Sequence, residues 1–266
     1  MTNWQTIALR ALSGGVLTAA ALLAGCQTPG SGTAVTASDK TRMTQSGFLS
    51  DYARLKPVPW GEGIECWHDP NLKPKNYDKV LVSRIVVSLA PPKNKDAENT
   101  IDPTDLKILT DYFHDALVKA LKPQMQIADK AGPGVVVMRI ALTDLVPTQV
   151  SRSVAGTLIP YGFVAEAGSG VAAGRPAGST PYLGVAGMEM QIRDGASAAI
   201  LAECRDTEIG RKYALDDNAS GAAETWANGY LNSFQAWSYA KNAFDKWALL
   251  FARRFAELRG VKPPAK

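Results

Sequence analysis

Histidine is almost missing from this chain: its 266 residues carry two, His68 and His114. Cysteine is nearly as scarce, with Cys26, Cys66 and Cys204. That leaves little material for a metal centre, since structural zinc sites use two spaced pairs of ligands. No Gly-x-Ser-x-Gly run exists to expose a nucleophilic serine. A membrane span needs about 20 apolar residues, and the longest apolar run, 11–25, falls short of it. Charge of one sign is also lacking. The 29 basic and 25 acidic residues leave a net charge of +4, far from the clustered basic surface of a nucleic-acid binder. No nucleic-acid partner is expected.

The short apolar run is informative for what precedes and follows it. Arg10 is the only charge before it, Ser13 and Thr18 are its only hydroxyl interruptions, and Leu23, Ala24, Gly25 and Cys26 close it. A charged start, an apolar middle and a small-residue end make a secretory signal. Its last four residues have the form of a lipobox, where bacteria attach diacylglycerol to the cysteine thiol and cleave just before it. The mature chain would begin at an acylated Cys26 and meet membrane lipid through it. One acyl chain binds only marginally, so stable anchoring takes two or more. Gln27 follows, and absence of Asp there resembles lipoproteins sent to the outer membrane of Gram-negative bacteria. The expected location is the periplasmic face of that membrane.

Residues 26–45, rich in Thr, Ser and Gly, read as a flexible tether. A single domain over 46–260 follows, long enough for one sizeable core. Phe48, Leu49, Tyr52 and Leu55 open it as docking residues. Residues 79–89 (KVLVSRIVVSL) read as a strand apolar on both faces, hence central and buried. Asp102, Pro103 and Asp105 start a helix, and Leu106, Leu109, Phe113, Leu117 and Ala120 form its apolar stripe. Residues 135–145 read as a second long strand, with Val136, Met138, Ile140 and Leu142 on one face. Residues 187–205 read as a hairpin turning at Asp194 and Gly195. In it Met188, Met190 and Ile192 alternate with Glu189, Gln191 and Arg193, and Ala198, Ile200, Ala202 and Cys204 share a face of the return strand. A last helix carries Ala240, Phe244, Trp247, Phe251, Phe255 and Leu258 along one side. The fold class is α/β in the α+β sense: one mixed β-sheet with packed helices.

The stretches SGFLSDYARL, NYDKVLVSRIVV, DYFHDALVKAL, GPGVVVMRIALTDLVPT and AFDKWALLFARRF together resemble a group of bacterial lipoproteins defined as domain of unknown function 3313. The resemblance runs from Ser46 to Phe255. It implies a lipid-anchored envelope protein and assigns no activity, cofactor or site residue.

Candidate sites are few. Cys66 and Cys204 either form a disulfide, as an oxidising compartment permits, or stay as two buried thiols. Glu62, Glu65, Cys66, His68 and Asp69 crowd into EGIECWHDP, where Cys66 and His68 could share a metal if the thiol is free. His114 could be oriented by Asp111 in a hydrolytic site, with Asp115 on its other side. Residues 168–173 fit Gly-x-Gly-x-x-Ala, but in a Gly/Ala-rich tract without the strand and helix that motif needs. The tract itself, 154–187, has Glu166 and Arg175 as its only charges and reads as a surface loop or as a contact element. The leading expectation is a non-enzymatic binding or assembly module without metal or cofactor, meeting an envelope protein, peptidoglycan or lipid. The alternatives are a metal-dependent or hydrolytic enzyme and an element that self-assembles through the tract.

Overall fold

The computed structural model describes residues 36–38, 40, 43–89, 101–148, 184–210 and 236–262. In chain order they form β1 (Thr36–Ser38), β2 (Lys56–Pro57), β3 (Glu65–His68), a 3-10 turn (Pro74–Asn76), β4 (Lys79–Val82) and β5 (Val86–Val87). Then come α1 (Pro103–Leu121), β6 (Gln126–Ile127), β7 (Val135–Val146), β8 (Val185–Asp194), β9 (Ile200–Gly210) and α2 (Ser238–Arg259). The strands make one mixed sheet in the order β2-β3-β9-β8-β7-β4-β6, with β1 also on β9 and β5 also on β7. The β3-β9-β8-β7 part is antiparallel, whereas β4, β5 and β6 run parallel to their partners.

Local chemistry explains both helices. Asp102 caps α1 by accepting from the Thr104 N–H at 2.7 Å, and Pro103 fills the first position, where no N–H is needed. Leu109, Phe113, Leu117 and Leu121 are its buried face. In α2 the stripe Ala240, Phe244, Trp247 and Phe251 is buried, while Phe255 and Leu258 are half-buried. Gly260 ends α2 at φ 70°, a left-handed conformation glycine adopts without strain. The two helices pack side by side on one face of the sheet. Phe113 stacks on Phe244 at 4.5 Å, and Trp247 closes the cluster at 5.8 Å from Phe113.

Helix α2 runs antiparallel to β9 beneath it. Trp247 Nε1 donates to Asp206 at 2.9 Å and Lys246 pairs with Glu208 at 2.8 Å. Tyr239 lies against Gly210, where an added Cβ would sit 2.7 Å from the Tyr239 ring. Gly210→Ala is therefore expected to destabilise the domain by about 1–3 kcal/mol through overpacking, read as a lower urea midpoint with unchanged slope.

The sheet departs from the sequence pattern in three places. Residues 79–89 are not one central strand buried on both faces. They divide into β4 and β5, and Val86 and Val87 are 43% and 38% exposed. Four residue steps separate Val82 from Val86 while their partners Met138 and Ala141 are three apart, so the chain bulges between the two segments. The hairpin is longer than expected, and its loop takes five residues. Asp194 accepts from the N–H groups of Ala196 and Ser197 and from the Ser197 hydroxyl, which holds a wider turn. Ala198 sits in that loop at φ 61° and not on the face of β9. Finally, residues 36–38, inside the stretch expected as tether, pair with residues 208–210 of β9.

Candidate functional site

Two features stand out, one on each face of the sheet. On the face away from the helices, β8 and β9 present Glu189, Gln191, Glu203 and Arg205. Alternation alone predicts a solvated face, yet Glu189 and Glu203 are fully buried and Gln191 is 2% exposed. Residues 43–55 lie over them. Ser46 donates its N–H and its hydroxyl to the two oxygens of Glu189, at 3.0 and 2.6 Å, and the Tyr52 hydroxyl adds a bond of 2.9 Å. Ser50 repeats the arrangement on Glu203, at 2.8 and 2.9 Å. Gln191 and Arg54 complete the Glu203 shell at 2.7 and 2.6 Å. Burial pushes the Glu203 carboxyl up, but these donors outweigh it and hold the carboxyl below its ordinary value. The Arg54 guanidinium also stacks on Trp67 at 3.4 Å.

The segment is thus clasped to the sheet at Ser46 and Ser50, and it is fastened once more upstream. Ser38 donates to Asp206 at 2.6 Å, beside the Trp247 bond to the same carboxylate. Burial pushes the Asp206 carboxyl up. Lys246 loses basicity to burial and regains more from Glu208, Asp206 and Glu62, so its ammonium stays charged between the helix and the sheet. Ser46 and Ser50 lie outside the set of docking residues that the apolar pattern predicts, Phe48, Leu49, Tyr52 and Leu55. Their signal was the pair of hydroxyls four apart in SGFLS.

On the helix face, a cleft of about 400 Å³ opens between the start of β9, the loop after β3 and the last turns of α2. Its floor is the Cys66–Cys204 disulfide with Met190 and Ile192. Its walls include Trp60, Leu72, Phe251, Phe255 and Leu258. The two cysteines face each other directly across the β3–β9 pair, with Cα atoms 4.1 Å apart. The size and the mostly apolar lining are those of a ligand site. Arg254 stands at the rim, 5.5 Å from the Trp60 ring and 3.3 Å from Glu257.

The metal reading loses its thiolate, because Cys66 is in the disulfide. Strand alternation also scatters the acids of EGIECWHDP. Glu65 pairs with Arg205 at 2.8 Å on the clasped face, Glu62 turns to Lys246, and His68 Nδ1 meets its neighbour Asp69 O at 3.2 Å. Among the described residues no group of three or more metal-ligating side chains converges. Asp111 does not orient His114: it pairs with Lys107, and His114 Nδ1 lies 3.5 Å from Asp115. The lipobox Leu23, Ala24, Gly25 and Cys26, residues 168–173 and all of 154–187 before Gly184 lie outside the described residues. No described helix is long and apolar enough to cross a membrane.

A family model described as "Protein of unknown function (DUF3313)" matches residues 44–251, from the clasped segment to Phe251 in the cleft wall. The chain belongs to the DUF3313 family. No curated protein matches this DUF3313 member. Among solved structures it is similar to the PelC dodecamer from Paraburkholderia phytofirmans, at 14% identity and a TM-score of 0.29, covering 65% of this chain and 98% of that one. A DUF4136 family protein from Bacteroides thetaiotaomicron shares 12% identity over 64% of this chain and 92% of that one, TM-score 0.26. A DUF330 protein from Xanthomonas campestris shares 13% over 68% and 94%, TM-score 0.24. Scores this low carry no argument about what this DUF3313 member does.

Proposed function

We propose that this DUF3313 member is a lipid-anchored envelope protein, held by acylated Cys26 at the periplasmic face of the outer membrane, that works as a non-enzymatic binding module. The observation that carries the binding half is the cleft of about 400 Å³ between β3, β9 and α2. Its disulfide floor and aromatic walls suit an apolar group far better than the hydroxyl-rich glycan of peptidoglycan, because a buried hydroxyl without a partner is costly. The lipobox supports the anchoring half. Acyl chains confine the cleft to a thin layer and raise its effective concentration near a partner in that layer.

Photo-crosslinking in intact cells tests the binding half. A benzophenone side chain in place of Phe255, in the cleft wall, is expected to give discrete adducts. The same group in place of Ile108, exposed on α1, is expected to give none above background. Equal labelling from both positions would remove the cleft as the binding site.

A further inference from the structure

The point where the chain joins the sheet and the cleft lie at opposite ends of the domain. Thr36 pairs with Gly210 at the end of β9, whereas the cleft is lined by Ala202 and Cys204 near its start. Eight residue steps of strand, about 27 Å, separate Gly210 from Ala202. Helix α2 repeats the arrangement. Tyr239, in its first turn, lies against Gly210, and Phe251, Phe255 and Leu258, in its last turns, wall the cleft. Its 22 residues span about 33 Å.

The length of chain back to the acylated thiol then matters. Cys26 is ten residue steps from Thr36, and ten steps reach at most about 33–36 Å, whatever conformation they take. Turning the domain over to press the cleft end on its own bilayer would lift Thr36 by about 27 Å, roughly three-quarters of that reach. The tether would have to be held extended over most of its length, which costs conformational freedom that the upright placement leaves intact.

The rim chemistry points the same way. Lys73 and Lys75 are exposed on either side of Pro74, which lines the cleft, and Arg254 lines it directly one turn before Leu258 on α2, whereas Arg259 is turned to the Gln124 carbonyl. Against these stand Asp69 and Glu257. A basic rim around an apolar floor complements an apolar side-chain cluster with acidic residues beside it.

On these grounds, and resting on the anchoring and binding reading above, we infer that the cleft faces away from the membrane that carries the acyl chains and takes an apolar segment of a partner protein, bordered by Asp or Glu. The lipid of its own bilayer is not the occupant.

Two photo-crosslinking positions in the full acylated protein test this. One replaces Leu258 at the cleft mouth. The other replaces Val146, 40% exposed and paired with Val185 at the anchored end of the sheet. In vesicles of phosphatidylethanolamine and phosphatidylglycerol, lipid adducts are expected from Val146 at several times the yield from Leu258. In intact cells, Leu258 is expected to crosslink a protein peptide holding apolar residues next to Asp or Glu. Arg254→Glu should cut that yield several-fold and Arg254→Gln by less. Lipid adducts from Leu258 at the Val146 level would overturn the inference. So would protein adducts indifferent to both Arg254 variants, or adducts to glycan. Lipid adducts from neither position, with Cys26 unmodified by mass, would instead sink the anchoring on which it rests.

Discussion

Replacing Glu203 by alanine is expected to lower the stability of the domain by about 2–4 kcal/mol, given about 1–3 kcal/mol for each donor left buried without its acceptor. The loss is large because four donors converge on this one carboxylate: the Ser50 N–H and hydroxyl, the Gln191 amide and the Arg54 guanidinium. Gln191 is left in the interior without that acceptor, and the clasp over β9 is released. Arg54→Ala should cost no more than that, about 1–3 kcal/mol, because it takes the positive charge from a fully buried carboxylate while the Ser50 and Gln191 donors remain on it. Urea unfolding gives the magnitudes, and hydrogen exchange at the Ser50 amide tells loosening of the clasp from global unfolding. The pH dependence has a definite sign. The Glu203 carboxyl titrates lower in the folded chain than its ordinary 4.5, so its stabilisation is complete above that value. It fades as pH falls through the lower, folded value. Protection of the Ser50 amide should therefore hold from neutral pH down to about 4.5 and decline only in stronger acid. A decline beginning near neutrality would contradict the assignment of the clasp to Glu203.

The double replacement Cys66→Ala, Cys204→Ala is expected to remove about 2–5 kcal/mol. The chain-entropy estimate lies at the upper end, since the bridge joins residues 138 apart in sequence. In a domain of this size each kcal/mol lowers Tm by about 2–4 °C, which puts the total at roughly 4–20 °C. The same change removes two sulfurs from the cleft floor, so the adduct yield from Phe255 should fall with it. A variant that melts with the parent protein would show that the β3–β9 pair holds the two strands without the bridge.

Features set by neighbours in sequence were legible before the structure; those set by distant partners were not. The Asp102-Pro103 start of α1 is complete within four residues, and the α2 stripe repeats every three or four, so both helices stand where local pattern places them. Strand β7 and the hairpin core follow from alternation and a turn. The clasp depends instead on contacts such as Ser46 to Glu189 and Ser50 to Glu203, 143 and 153 residues apart. Period-two polarity in β8 says only that Glu189 and Gln191 share a face. It cannot say that another part of the chain covers that face. For the same reason β1 falls in a stretch whose pattern is that of a tether, since three residues of Thr, Ala and Ser carry no strand pattern and pair only because β9 offers an edge. The 79–89 run erred in the opposite direction. Its apolar pattern is real, but only β4 has β6 beyond it, and β5 stays exposed.

Within the proposed function, the placement of the cleft in the envelope depends on the thiol of Cys26. Mass spectrometry of the N-terminal tryptic peptide from the native protein tests it most directly. The expected species begins at Cys26, ends at Lys40 and carries a diacylglycerol on sulfur, with or without a third acyl chain on the new amino group. A peptide with an unmodified Cys26, or one continuing upstream through Gly25, would contradict the account.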